Sequence, residues 1–297
     1  MSRGQGPGME GGLRTRGEGK VFLPDKPLVT VITVVLNGKK HLEQTIRSVL
    51  DQSYDNIEYL IIDGGSTDGT LEIIKKYEDQ IDYWVSEPDR GIYDAMNKGI
   101  ALACGDLIAL LNADDYYEKD GVAAAVTAYR RHRAPGIYFG HTYLIQDDLG
   151  LRYEYPARRD HWRGMGFCHP AMFAHRKVYQ DIGNYDLDYR LASDYDFILR
   201  ALHRKIDFIP VEAFIVNYRN TGLSASNLAG SLGEIGKINR KHFGFFSLAH
   251  FKFLAAYAKS MLLISLQTII GKVAGERTLT KLKARYTRLF HSKDREV

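Results

Sequence analysis

Residues 28–36 read LVTVITVVL, Leu28 to Leu36, an apolar run broken only by Thr30 and Thr33. A short run this rich in β-branched residues reads as a strand buried on both faces. A polar break at Asn37-Gly38 follows, after which Leu42, Ile46, Val49 and Leu50 recur at helical spacing. Working outward, Ile57 to Ile62 is a second buried strand that stops at Asp63-Gly64-Gly65. The turn Ser66-Thr67-Asp68-Gly69-Thr70 then leads into a helix through Leu71, Ile74 and Tyr77. Ile81 to Val85 reads as a third strand, Gly91 to Ala103 as a helix, and Asp106 to Leu111 as a fourth strand ending at Asn112-Ala113-Asp114-Asp115. Alternation at this pace implies βαβ units and a mostly parallel central sheet with helices on both faces.

After Tyr138 the pattern becomes mixed. Short strands are expected at 137–141, 171–175 and 213–218, with a helix from Tyr195 to Arg204, all within the same domain. The predicted organisation is a leader over 1–26, an α/β domain over 27–225, and a C-terminal helical extension over 226–297. The leader carries seven glycines in its first twenty residues and no apolar core, so it is expected to be disordered. Hydrophobic residues at 45% and charged residues at 26% are ordinary for a folded soluble protein of 297 residues. Cys104 and Cys168 match no metal-ligand spacing, and packing is the expected role of each, in a reducing compartment.

The net charge of +4 is unevenly spread: residues 272–297 hold eight Lys/Arg and three Asp/Glu, a local +5, which leaves −1 for the rest. A near-neutral body with a basic tail argues against a nucleic-acid groove and for an electrostatic anchor.

The polar clusters fall at the ends of the expected strands: Asn37, Asp63 with Asp68, Glu87 to Arg90, and Asn112 to Asp115. Open α/β sheets bind ligands at the carboxyl ends of their strands. Carboxylates at a strand end suit a hard divalent cation bridging two phosphates, although adjacent aspartates can also simply cap a turn. Asp63 reads as a ligand contact. Asp68 reads better as a cap for the helix that follows it. Arg90 and Lys98 flank a helix start, a place suited to phosphate, while Tyr93 and Met96 are expected to pack inward. Asp194 and Asp196 open the helix near Tyr195, and either can serve as a general base or as an N-cap. His169 is a further base candidate, with pocket lining as its alternative.

Taken together, TVVLNG (33–38), DGGSTDGT (63–70), SEPDRGIYDAMNKGIALACGD (86–106), LNADD (111–115) and SDYDFILR (193–200) resemble family 2 glycosyltransferases of the GT-A fold. The likeness is greatest to the branch that builds bacterial exopolysaccharide, capsule or O-antigen. It spans about Pro27 to Ser224. What it implies is a GT-A architecture, a nucleotide-sugar donor with UDP preferred, and a Mn²⁺ or Mg²⁺ cofactor. Thr33 to Asn37 and Asp63 would hold the nucleoside, while Asn97, Lys98 and the Gly99 region would face the nucleotide-sugar. Asn112-Ala113-Asp114 occupies the family's Asp-any-Asp motif, with Asp114 as the metal ligand. Asp194 stands where the catalytic base stands, implying inversion at the anomeric carbon. Two positions depart from the pattern: Asn112 replaces the first Asp of the metal motif, and Ser193 stands where many relatives carry Glu.

Phe243 to Val273 is rich in apolar side chains, but its longest uncharged run, Ser260 to Gly271, is far below the roughly 20 residues a spanning helix needs. With the basic Lys281, Lys283, Arg285 and Arg288 behind it, this stretch reads as an interfacial anchor to the inner face of the cell membrane. A core or homodimer helix is the alternative. A lipid-linked or oligosaccharide acceptor at that cytoplasmic face would suit the anchor. Two rival functions stay open on the sequence: a nucleotidyltransferase, and a nucleotide-sugar-binding protein that has lost catalysis.

Overall fold

The computed structural model describes residues 8–20, 23, 26–147, 150–158, 166–219 and 227–244. It divides into two compact units, Met1–Ser226 and Asn227–Val297. In the second, a single helix, Leu228–Phe243, is described, with the Asn227 side chain capping it through the Gly230 N–H. The apolar and basic stretches expected to anchor the chain lie outside the described residues. No described helix is long and apolar enough to cross a membrane.

The first unit is built on one mixed sheet whose central strands are parallel. In chain order its strands are β1 (Met9–Gly11), β2 (Val29–Val35), β3 (Ile57–Asp63), β4 (Tyr83–Ser86), β5 (Leu107–Asn112), β6 (Tyr116–Tyr117), β7 (Gly136–Gln146), β8 (Leu151–Tyr155), β9 (Met172–His175) and β10 (Asp207–Arg219). They lie in the order β1-β4-β3-β2-β5-β9-β7-β10-β6, with β8 beside β7. Strands β4, β3, β2 and β5 run parallel, as do β7 and β10, while β9 between the two groups is antiparallel to both of its neighbours. The helices are α1 (Leu42–Leu50), α2 (Thr70–Lys76), α3 (Ile92–Leu102), α4 (Gly121–His132), α5 (Arg176–Ile182) and α6 (Ser193–His203).

Strand alternation sorts the apolar side chains onto the two faces. Val29, Val31 and Val35 of β2 join Leu42 and Ile46 of α1, Ile74 of α2 and Val122 and Val126 of α4 in one core layer. Ile32 and Val34 join Met96 of α3, Val178 of α5 and Phe197 of α6 in the other. On this second face Gly99 lets α3 settle onto the sheet, since a Cβ there would lie 2.4 Å from Ile32 Cγ2. Each expected strand and helix of the first half is present, within two residues of its expected ends. Sequence reading missed β6, β8, α4 and α5, which are short or have weak periodicity.

The expected disordered leader is corrected over residues 8–20. Strand β1 pairs antiparallel with β4, and a short 3₁₀ turn at Leu13–Arg16 follows it. Glycine content, read as a sign of disorder, serves close approach instead. A Cβ on Gly11 would collide with the Trp84 ring, and Gly12 holds a φ of 101°. This segment covers the β4 edge and carries Arg14 to the buried Glu58, which also accepts from Thr30 Oγ1 at 2.6 Å and Cys104 N at 2.7 Å. Cys104, expected to pack, is exposed and lies 3.0 Å from Arg14.

Candidate active site

Strands β2, β3, β4 and β5 end side by side, and the loops that follow are tied together by short hydrogen bonds. Gly64 N donates to Val35 O at 2.8 Å, and Glu87 N to Asp63 O at 3.0 Å. Asn37, held at a φ of 52°, donates its backbone N–H to Ser66 Oγ and accepts from Thr67 N at 2.9 Å. Asparagine tolerates this left-handed backbone better than most residues. Asp68 accepts from Lys39 N and from both the N–H and the hydroxyl of Thr70, closing the turn at the start of α2. That is close to its expected capping role.

Two of the expected nucleoside contacts are corrected. Thr33 is fully buried within β2, and its hydroxyl bonds Tyr59 OH at 3.0 Å. A strand covered on both faces leaves no side for a ligand at that position. Asp63 is also fully buried, and its carboxylate accepts from Ser66 N, Ser66 Oγ and Ser86 Oγ. It organises the loop rather than facing the cleft. An aspartate followed three residues later by serine is itself a turn signature, which could have signalled this.

The α3 motif is corrected in part. Arg90 is exposed and pairs with Asp94 at 3.1 Å, and Lys98 pairs with Glu87 at 2.7 Å. Both side chains secure the 87–91 loop at the cleft rim. Asn97, expected at the donor, turns the other way: its amide donates to Tyr185 O at 2.9 Å and accepts from Tyr185 N at 3.0 Å. With both amide functions spent on one backbone unit, Asn97 fixes the segment before α6.

At the end of β5, Asn112 donates its amide to Asp115 Oδ2 at 3.0 Å. Asp115 is fully buried and also accepts from Arg219 N at 2.8 Å; burial first, and the Asp114 charge second, hold its carboxyl well above the ordinary range. Ala113 contributes its carbonyl, which accepts from Thr45 Oγ1 at 2.9 Å. Asp114 is half-buried, so it is the accessible carboxylate of the pair. Asn112 Oδ1 is a buried acceptor that no donor satisfies among the described residues. No cluster of three or more metal-ligating side chains occurs among the described residues.

Arg219 was not anticipated from the sequence. It ends β10 and is 6% exposed at its side chain. Its guanidinium donates to Asp114 O, to Gln44 Oε1 at 2.8 Å and to Asp147, and it lies 5.1 Å from the Tyr116 ring centre. One cation thus joins α1, the Asp114 turn and the ends of β7 and β10. The neighbouring Tyr218 feels Asp115, Asp114 and Asp194; with burial as the larger cause, they hold its phenol well above the ordinary range.

On the acceptor side, Asp194 and Asp196 both sit in the first turn of α6, yet their surroundings differ. Asp196 is fully buried and bonded to Arg200 at 2.7 Å, while Arg200 also donates to the carbonyls of Ile182, Gly183 and Asn184. Asp194 is half-buried, and its Oδ1 accepts from Tyr93 OH at 3.0 Å and Tyr195 N at 2.9 Å. His169 is buried with Nε2 2.7 Å from Tyr185 OH, and burial lowers its pKa. The imidazole is kept neutral and its Nε2 is occupied by a phenol within the packed layer. Ser193, at the other departure from the family pattern, donates its hydroxyl to Asp186 O at 2.8 Å.

The family model described as Glycosyl transferase family 2 matches residues 30–187. This chain belongs to that family. An uncharacterized glycosyltransferase of Mycobacterium tuberculosis is 34% identical over 235 residues, covering 75% of this chain and 89% of that protein. The putative teichuronic acid biosynthesis glycosyltransferase TuaG of Bacillus subtilis is 35% identical over 129 residues, 42% of this chain and 51% of that one. Among solved structures, S. aureus TarS 1-349 in complex with UDP-GlcNAc aligns with a TM-score of 0.61 at 16% identity, covering 76% of this chain and 71% of that one. The mannosyltransferase PcManGT of Pyrobaculum calidifontis, in complex with GDP-Man and Mn²⁺, aligns with a TM-score of 0.55 at 18% identity, covering 92% and 89%. The protein is thus a glycosyltransferase of GT-A fold, and the nucleotidyltransferase reading is set aside. Asp194 lies beyond the stretch that the family model matches.

Proposed function

We propose that this glycosyltransferase is metal-dependent and inverting, and that it moves a sugar from a UDP-sugar to a hydroxyl of a lipid-linked glycan in surface-polysaccharide synthesis. The observation that carries the reading is a pair of half-buried carboxylates, Asp114 in the turn after β5 and Asp194 in the first turn of α6. One is suited to the donor diphosphate and the other to the acceptor. Support for a nucleotide-sugar comes from family membership, and support for the acceptor class from the name of the teichuronic acid relative.

In this mechanism Asp194 takes the proton of the acceptor hydroxyl as its oxygen bonds to the anomeric carbon. The bond from that carbon to the diphosphate breaks on the opposite face, and its electron pair leaves with the nucleoside diphosphate. Oδ1 of Asp194 is held by two donors and no described residue donates to Oδ2, so one oxygen is available as the proton acceptor. Asp114 would hold the cation, with Asn112 Oδ1 as a neutral oxygen in the same turn. When bound, Mn²⁺ or Mg²⁺ neutralises the charge that gathers on the departing diphosphate. Asn37, Asp68, Arg90 and Lys98 lie in the loops after β2, β3 and β4 or on α3, and would border the donor while holding those loops.

A thermal-shift panel of UDP, GDP, dTDP and CMP, each with and without Mn²⁺, tests the donor side. Ligand at about 100 times its dissociation constant stabilises the folded state by roughly 2.7 kcal/mol. The expected result is a Mn²⁺-dependent shift with UDP that is lost in Asp114→Ala. No shift with any of the four nucleotides would refute the nucleotide-sugar donor and the metal role of Asp114.

We also propose peripheral attachment at the membrane surface through residues 244–297, on the strength of an apolar stretch followed by basic side chains. The full chain is expected to sediment with anionic liposomes, and a chain truncated after Gly244 is not. Equal sedimentation of the two would refute the attachment.

A further inference from the structure

The bond between Tyr93 and Asp194 joins residues 101 positions apart and links the donor-side helix α3 to the acceptor-side helix α6. Tyr93 and Asn97 are four residues apart on α3 and so share one face of it. That face is committed to the acceptor side: Tyr93 holds Asp194 Oδ1, and Asn97 grips the Tyr185 backbone from both sides. The Tyr185 ring lies 5.5 Å from that of Tyr93 and 5.1 Å from that of Phe197, and its hydroxyl meets His169. The Asp194 carboxylate is therefore backed by a packed aromatic layer and, among the described residues, held at one oxygen.

We propose that Tyr93 is a positioning residue for Asp194: its hydroxyl fixes Oδ1 so that Oδ2 is presented to the acceptor, while Asn97 braces the Tyr185 segment behind the pair. This role rests on the reading of Asp194 as the base. Two effects of the hydroxyl oppose each other. A hydrogen bond to the ionised form makes the carboxylate a weaker base, which slows proton transfer by a few-fold. A carboxylate free to rotate loses alignment, and misplacement near 1 Å can cost about 10²-fold. Orientation is the larger effect, so the hydroxyl speeds the reaction on balance.

Four elements bring groups to Asp194. Tyr93 faces it from α3, Tyr185 from the preceding segment, His169 from the turn before β9 and Tyr218 from β10. On its own helix, Asp196 is paired with Arg200. Burial holds the Tyr185 and Tyr218 phenols well above their ordinary range and lowers His169, so all three stay neutral at neutral pH.

The experiment is steady-state sugar transfer by the full chain from UDP-GlcNAc or GDP-Man, beside melts of each protein with and without nucleotide. In Y93F kcat is expected to fall by about 10²-fold with the donor KM and the stabilisation by nucleotide unchanged, because Asp194 has lost the side-chain bond that aligns it. A Y93F protein that melts with the wild type and keeps its kcat would overturn the positioning role, as would a loss confined to the donor KM. D194N separates this from the underlying reading. If D194N transfers sugar as fast as the wild type, the base reading falls, and the proposed role with it. If D194N is inactive and Y93F keeps the wild-type kcat, the positioning role alone falls.

Discussion

Asp194→Asn is expected to slow sugar transfer by about 10³-fold, within the range a general base supplies, while leaving stabilisation by nucleotide unchanged. The substitution is close to isosteric. An amide oxygen can keep the bonds from Tyr93 OH and Tyr195 N that Oδ1 now accepts. The amide nitrogen then occupies the place of Oδ2 and cannot take a proton, so geometry survives and basicity does not. Asp196→Asn is the control. Asp196 is fully buried against Arg200, so its loss is expected to lower the melting temperature and leave the rate per folded molecule near that of the wild type. Steady-state rates with a labelled donor, beside melts of both variants with and without nucleotide, check this. A D194N enzyme with wild-type rate would remove Asp194 from the chemistry.

Arg219→Ala is expected to have the largest effect on stability. Breaking a buried ion pair from one side typically costs about 3–5 kcal/mol. Asp147 is 44% exposed and can be resolvated, which puts the expected cost at the lower end, about 3 kcal/mol. The carbonyl of Asp114 and the Gln44 amide lose a donor as well. For a domain of this size that corresponds to a fall of about 6–12 °C in melting temperature. Because Arg219 holds the turn that carries Asp114, Mn²⁺-dependent stabilisation by UDP is expected to weaken beyond what the lower stability explains. R219K keeps the charge but not the planar fork, and an intermediate loss is expected. Calorimetry of the three proteins with and without UDP and Mn²⁺ checks both halves. An Arg219→Ala protein that melts with the wild type would show that the guanidinium contacts contribute nothing.

How much of this was legible beforehand depended on the range of the interaction. The run from Leu28 to Leu36 and its three successors identify the parallel strands, because burial on both faces demands continuous apolar sequence. The same periodicity places the polar clusters at the strand ends, so the cleft region was visible. Which side chains face into it was not. The family resemblance puts Thr33 at the nucleoside, yet the register of β2 against β3 sets its hydroxyl against Tyr59. Asp63 reads as a free carboxylate, yet Ser86, brought alongside by β4, helps to saturate it. For Asn97 a signal existed: it shares a helical face with the buried Tyr93, so its amide had to find a partner inside.

Fold class, family and the short list of carboxylates were thus determined by the sequence alone, since each rests on local periodicity or on motifs of a few residues. Tertiary structure decided which carboxylates are available. Asp114 and Asp115 are adjacent in the chain, and only tertiary structure separates them: Arg219, 104 residues from Asp115, donates to it where it is fully buried, while Asp114 stays half-buried. For Asp194 and Asp196 a local signal existed in Arg200, four residues after Asp196, whereas the bond from Tyr93, 101 residues from Asp194, has no counterpart in the local sequence. Desolvation and hydrogen-bond saturation act through space, so the full burial of Asp115 and Asp196 and the half-burial of Asp114 and Asp194 arise only in the folded chain.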